Sequence, residues 1–292
     1  MKGQTIFLLS DKSSGSTAFQ YELLKHPHIS AAEYTPHNDH ETLFWLKAAV
    51  ALKKPQEHFY SSKYPFSAKF ALRSLKDILY KNTGKSDFPL DSEEDFNEAW
   101  SKIEEKHDHY FFEKSPHHLN HLASTFLILN YVRQNPKAKV IGLVRDPKSV
   151  IYSTMDRWYV TPASRQYKWA YTYNNLLMVE KLINPDQYMR VRYEDLISGT
   201  SSVFEKVTDF LGLDSCEEVG KGLHLKSKDK WKSDANFEIT LDSSTALLAS
   251  YFGYETSTAS GQKVDEKFKI NRFKKLVFYI KSNGRKFLKQ KL

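Results

Sequence analysis

Cysteine is nearly absent: the 292 residues hold one, Cys216. A single thiol rules out an internal disulfide, cannot build a cysteine-based zinc site, and fits a reducing compartment. No run of about 18 consecutive apolar residues occurs, so no transmembrane helix is expected. Low-complexity tracts are missing, and 40% of the residues are hydrophobic, as in a folded globular chain. The small-residue loop from Lys12 to Thr17 is not closed by Gly-Lys-Ser/Thr, so it is not a Walker A phosphate loop. His-Glu-x-x-His does not occur among the eleven histidines. His117 and His121 stand four apart and His37 and His40 three apart, but neither pair has a metal-site pattern, and no metal is expected. Acidic residues are missing from 267–292, where ten Lys or Arg stand. Without that tail the chain carries 33 basic and 35 acidic residues, so the net charge of +8 is local. The body has no nucleic-acid footprint, and no nucleic-acid partner is expected.

The informative stretch is the beginning. Ile6, Phe7, Leu8 and Leu9 form the apolar run of a buried parallel strand. Lys12, Ser13, Ser14, Gly15, Ser16 and Thr17 follow, and Ala18 to Leu24 reads as the first turns of a helix. Strand, small-residue loop and helix aim backbone N–H groups and a helix N-terminus at a phosphate or sulfate. Taken alone, the same pattern also fits an ordinary strand-to-helix turn. A second unit, Lys139 to Ser153, is again an apolar strand entering a helix. Arg145 ends the strand, Pro147 suits the first helical position, and Ser153 lies eight residues beyond Arg145. Ligands of open α/β sheets bind at strand C-termini. Two such ends with anion-binding chemistry imply a ligand with phosphates at two places.

These segments resemble the sulfotransferase superfamily, enzymes that use 3′-phosphoadenosine 5′-phosphosulfate (PAPS) and release adenosine 3′,5′-bisphosphate (PAP). The first loop is similar to the family's 5′-phosphosulfate loop, and Arg145 with Ser153 matches the Arg and Ser that hold the 3′-phosphate. Val191-Arg-Tyr-Glu-Asp-Leu resembles the family's strand-end motif, which implies that Tyr193 lies near the nucleotide. One departure stands out: Ser13 occupies the family's loop Arg/Lys position, and the charge sits one residue earlier, at Lys12. Either the flexible Lys12 reaches the phosphosulfate from there, or the loop binds through its backbone.

The resemblance also implies a general base shortly after the first loop-helix unit. Glu33 stands nearest that place, His37 next, and His40 and Glu41 behind. Such a group takes the acceptor hydroxyl's proton. Glu113-Lys-Ser-Pro resembles a segment of glycan sulfotransferases whose Lys reaches the active site, so Lys114 is expected to stabilise charge on the bridging oxygen. Ser115 and Pro116 read as N-cap and first position of a helix spanning 116–134. The aromatics between 55 and 108 (Phe59, Tyr60, Tyr64, Phe66, Phe88, Trp100) either line an acceptor site or form core. Arg157, Trp158 and Arg165 are candidates to face cofactor or acceptor, with nothing in the sequence to fix which. Lys228, Lys230 and Trp231 fall where the family has a late basic loop over the nucleotide.

The expected fold is one α/β domain, residues 1–260, with a central parallel sheet flanked by helices as in P-loop folds. Residues 261–292 form a basic amphipathic tail in which Phe273, Leu276, Val277, Ile280, Gly284, Phe287 and Leu288 share a face. The first strand starts within a few residues of Met1, leaving no room for a signal peptide. A cytoplasmic protein is expected, peripheral on the inner membrane face if the tail meets anionic lipid. The implied reaction is sulfuryl transfer from PAPS to a hydroxyl of a glycan, glycolipid or small molecule, without metal. A P-loop nucleotide kinase and a non-catalytic membrane-associated binding protein are the rival readings.

Overall fold

The computed structural model describes residues 3–57, 67–223 and 230–256, with the isolated positions 268, 276, 277 and 280. Along the chain come β1 (Gln4–Ser10), α1 (Ser16–Leu23), β2 (Ile29–Ser30), α2 (Phe44–Ala51), α3 (Ala68–Thr83) and α4 (Glu93–Glu104). β3 (Tyr110–Lys114), α5 (Leu122–Gln134), β4 (Lys139–Val144), α6 (Pro147–Trp158) and α7 (Pro162–Leu182) follow. β5 (Tyr188–Arg192), α8 (Tyr193–Ser198), α9 (Thr200–Leu211) and α10 (Ser243–Tyr251) complete the order.

The strands make one sheet in the order β2-β3-β1-β4-β5, all pairs parallel. Successive side chains of β1 point to opposite faces. Ile6 and Leu8 join a cluster with Phe19, Leu23, Leu196 and Phe204 of α1, α8 and α9. Phe7 and Leu9 join the larger cluster with Trp45, Trp100, Tyr131 and Trp169 on the other face. Helices on both faces explain the unbroken apolar run: β1 is buried on each side. Phe7 stacks on Trp100 at 5.7 Å, and Phe88 packs at the rim of the same cluster. Trp100 is therefore core. Phe59, Tyr60, Tyr64 and Phe66 lie outside the described residues.

Register decides what meets at the C-terminal edge. Leu8 of β1 is level with Lys114 of β3 and Ile141 of β4, so the loop after Ser10, Lys114 and Arg145 converge there. The chain leaves β1 for α1 on one face, whereas α7 beyond β4 packs on the other. This divergence opens the crevice in which such sheets bind ligands.

Residues 29–30 form a short edge strand beside Tyr110 and Phe111. One local expectation is corrected. The helix after β3 starts at Leu122, not at 116, and residues 116–120 are turns. The Ser115 hydroxyl donates to Glu113 and accepts from the Leu43 N–H, so it caps nothing. His117 and His121 consequently do not share a helix face. Ser92 and Asp95 form a reciprocal capping box at the start of α4. The tail falls largely outside the described residues; Leu276, Val277 and Ile280 are helical and exposed. Among the described residues no helix is long and apolar enough to cross a membrane.

Candidate active site

A cavity of about 510 Å³ opens at the C-terminal edge of the sheet, within the usual range for small-ligand sites. Ser13, Gly15, Ser16 and Thr17 form one wall. Arg145, Ser149, Ser153 and Arg157 form the facing one, where β4 enters α6. Tyr193, Tyr152 and the 3-10 turn Lys230–Ser233, through Lys230 and Trp231, close it. No side chain caps the N-terminus of α1, which leaves its first N–H groups available to an anion. Gly15 sits at that N-terminus with φ 88°, and a Cβ there would lie 2.1 Å from the Tyr193 ring. Only glycine lets the loop and the ring approach so closely. The Arg145 guanidinium lies 4.4 Å from the Tyr193 ring centre and donates through Nη1 to the Ser13 carbonyl at 2.7 Å. The Tyr152 hydroxyl donates to Asp234 at 3.0 Å, fastening the late turn to α6. The Lys148 ammonium stands 5.1 Å from the Trp231 ring.

Beside the first turn of α1 lies a second group of polar residues. Lys114 is buried at the end of β3, and its Nζ donates to Glu41 Oε1 at 3.0 Å and to Thr17 Oγ1 at 3.3 Å. The segment carrying Glu41 is tightly held. Gln20 Nε2 donates to the Asp39 carbonyl at 3.0 Å, and the Leu43 N–H donates to Ser115 Oγ at 3.1 Å. Asp39, His40 and Leu43 all have φ between 53° and 58°, an uncommon set for residues with a Cβ, each costing about 1 kcal/mol. Behind them, burial pushes the Glu113 carboxyl up to about 7, against hydrogen bonds from Ser115 and Thr42. Burial likewise pushes His118, 3.8 Å from Glu113, down to about 3.

Under the β1 loop, Arg165 of α7 forms a buried ion pair with Asp11 and donates to the Lys12 carbonyl at 3.2 Å. The Lys12 ammonium lies 5.1 Å from the Trp158 ring centre. Burial pushes Lys168 down to about 7, helped by the charges of Lys12 and Arg165 and opposed by Asp11. His117 is held well below its ordinary range by burial first, then by Lys12 and Lys168. His37 lies within electrostatic reach of His117.

The profile of the Sulfotransferase family matches residues 5–218, most of the chain. The protein is a sulfotransferase-family member. No curated protein matches the sequence. Among solved structures it is similar to the sulfotransferase domain from the curacin biosynthetic pathway, at 19% identity and a TM-score of 0.60, covering 87% of this chain and 99% of that domain. The sulfotransferase domain of the Synechococcus PCC 7002 olefin synthase gives 20% identity and 0.60, covering 87% and 97%. At these identities the likeness shows the fold.

In this sulfotransferase, Ser13, Gly15, Ser16, Thr17, Arg145, Ser153, Tyr193, Lys230 and Trp231 line one cavity, as a set drawn from four distant segments. Lys12 and Ser14 do not line it. Lys12 lies on Trp158, and the buried Ser14 hydroxyl donates to the Asp11 carbonyl. Glu33 is exposed and acts on His107, ahead of β3, whereas the carboxylate that meets Lys114 at the far end of β3 belongs to Glu41. Lys228 lies outside the described residues. Ser149 was missed although its signal was present: Ser149, Ser153 and Arg157 stand at i, i+4 and i+8 on α6, one helix face. Arg165 faces the loop from below, not the cavity. Among the described residues no group of three or more His, Cys, Asp or Glu is placed to hold a metal.

Proposed function

We propose that the protein transfers a sulfuryl group from PAPS to an acceptor hydroxyl and releases PAP. The observation that carries this reading is the single cavity with anion-binding groups at both ends and Trp231 in its wall. The uncapped start of α1 with Ser16 and Thr17 suits a 5′-phosphosulfate, and Arg145, Ser149, Ser153 and Arg157 suit a 3′-phosphate. When bound, PAPS supplies the activated sulfuryl group. Lys114, beside Thr17, neutralises charge that grows at the sulfuryl-bearing end of the cavity. Glu41, rather than Glu33, accepts the acceptor's proton, because it is the carboxylate held next to Lys114. His37, within electrostatic reach of His117, is the second candidate proton acceptor. No step needs a metal, since positioning and electrostatics supply the catalysis.

The acceptor is a hydroxyl of a glycan, glycolipid or small molecule. The basic tail of residues 267–292 adds an anionic membrane surface as a contact. Co-sedimentation with phosphatidylserine vesicles, for the full chain and for Lys274→Glu/Lys275→Glu, tests that contact; equal binding by the two would remove it.

The decisive experiment is thermal stabilisation by PAP. At about 100 times its dissociation constant a ligand adds about 2.7 kcal/mol to the folded state, a shift of roughly 4–5 °C for a chain of this size. The wild type shows this shift and Arg145→Ala loses it. No shift at millimolar PAP, with the protein folded, would sink the sulfotransferase reading.

A further inference from the structure

We infer that Arg165 is the positioning residue of the 5′-phosphosulfate loop, setting its shape from below without touching the nucleotide. The inference rests on the reading of the cavity as a PAP site and extends it to a residue that is no part of the cavity wall.

Three successive carbonyls of the loop are tied to the protein. The Asp11 carbonyl accepts from the Ser14 hydroxyl, the Lys12 carbonyl from Arg165 Nη2 at 3.2 Å, and the Ser13 carbonyl from Arg145 Nη1 at 2.7 Å. Asp11 is fixed in turn: its Oδ2 pairs with Arg165, and its Oδ1 accepts the Lys12 N–H at 2.7 Å. Ser13 is held at φ 62° and Gly15 at φ 88°, a conformation that successive carbonyl ties impose on a short turn. With these three carbonyls engaged, the N–H groups beyond Lys12 are left for an anion, and are so before the anion arrives. Both contacts leave from one guanidinium nitrogen, Nη2, which stands one bond farther from the backbone than a lysine ammonium would. Arg165 and Asp11 are 4% and 0% exposed, so water does not compete for the pair. The arrangement also accounts for Ser13 at a position where the family carries a cation: the organising charge enters from α7.

The test separates the two ends of the ligand. PAP carries both phosphates, whereas adenosine 3′-monophosphate lacks the 5′ group that the loop holds. Titration calorimetry on wild type, Arg165→Lys and Ser14→Ala measures both compounds. Arg165→Lys should weaken PAP about tenfold, in the range seen when a supporting residue behind a ligand-binding group is changed, and shift adenosine 3′-monophosphate less than twofold. Ser14→Ala removes another tie without altering a charge, keeps the test available if Arg165→Lys does not fold, and should show the same selectivity to a smaller degree. Equal losses for both compounds would mean general damage and overturn the positioning role, as would unchanged PAP affinity. Wild-type protein that binds neither compound would overturn the nucleotide reading beneath it, a result distinguishable from either of those.

Discussion

Gly15→Ala abolishes nucleotide binding while leaving a folded protein. At φ 88° an alanine carries a backbone penalty of about 1–2 kcal/mol. Its Cβ would also lie 2.1 and 2.3 Å from two carbons of the Tyr193 ring. That ring is only 5% exposed and carries Arg145 on its face at 4.4 Å. The ring cannot retreat without moving Arg145, so one methyl group disturbs both anion-binding ends of the cavity. The expected result is no PAP-induced thermal shift at a concentration that saturates the wild type, with affinity down about 100-fold or more, as for a misplacement of about 1 Å. Overpacking and strain together lower stability by about 2–4 kcal/mol. Gly84→Ala is the control. It shares the positive φ, at 78°, but has no atom within 4 Å of the added Cβ, so it carries the backbone cost and keeps PAP binding. A Gly15→Ala protein that binds PAP like the wild type would refute the assignment of this loop.

The second large effect is on turnover. Lys114→Ala should lower the rate about 100- to 1,000-fold, the size seen when one preorganised stabiliser of developing charge is removed. PAP affinity should change far less, because Lys114 meets Thr17 and Glu41 and is not part of the cavity wall. Glu41→Gln, which preserves shape, should cost about 100- to 10,000-fold as the loss of a general base. Glu33→Gln, on an exposed side chain, should remain within about twofold of wild type, as surface substitutions away from special features do. The measurement is sulfuryl transfer to a working acceptor under saturating PAPS. Loss of turnover in Glu33→Gln with retention in Glu41→Gln would reverse the assignment.

The two strand-loop-helix units were legible because their signals are local. An apolar run, small residues and a helical pattern occupy fewer than 20 consecutive positions, and short-range chemistry fixes their geometry. The same holds for Ser149, Ser153 and Arg157, whose spacing of four is visible in the chain. The pairing of Glu41 with Lys114 was not legible, for the opposite reason. Its place depends on left-handed backbone at Asp39, His40 and Leu43, residues that rarely adopt it, and on anchors as distant as Ser115. Nothing in residues 31–42 announces that path. Ser115-Pro116 misled because its hydroxyl has two tertiary partners, Glu113 and Leu43, which outcompete a helix cap. Asp11 is an acid next to an anion-binding loop, which makes sense only once Arg165, 154 residues away, is brought beneath it.

The distances along the chain have a consequence for how the protein comes into being. Ser13 and Arg145, which touch, are separated by 132 residues, and Trp231 joins the same cavity later still. Loop closure over such spans precedes any gain from the contacts, so assembly of this site is a slow, late event in folding. On the ribosome the amino-terminal half emerges without a partner for its anion loop, and no nucleotide can assist it. Once α6, α8 and the late turn have docked, a ligand in the cavity they line would resist their separation as a unit. The ligand thereby becomes a reporter of completed synthesis: a chain truncated before residue 231 can hold much of the sheet yet lacks part of the cavity wall.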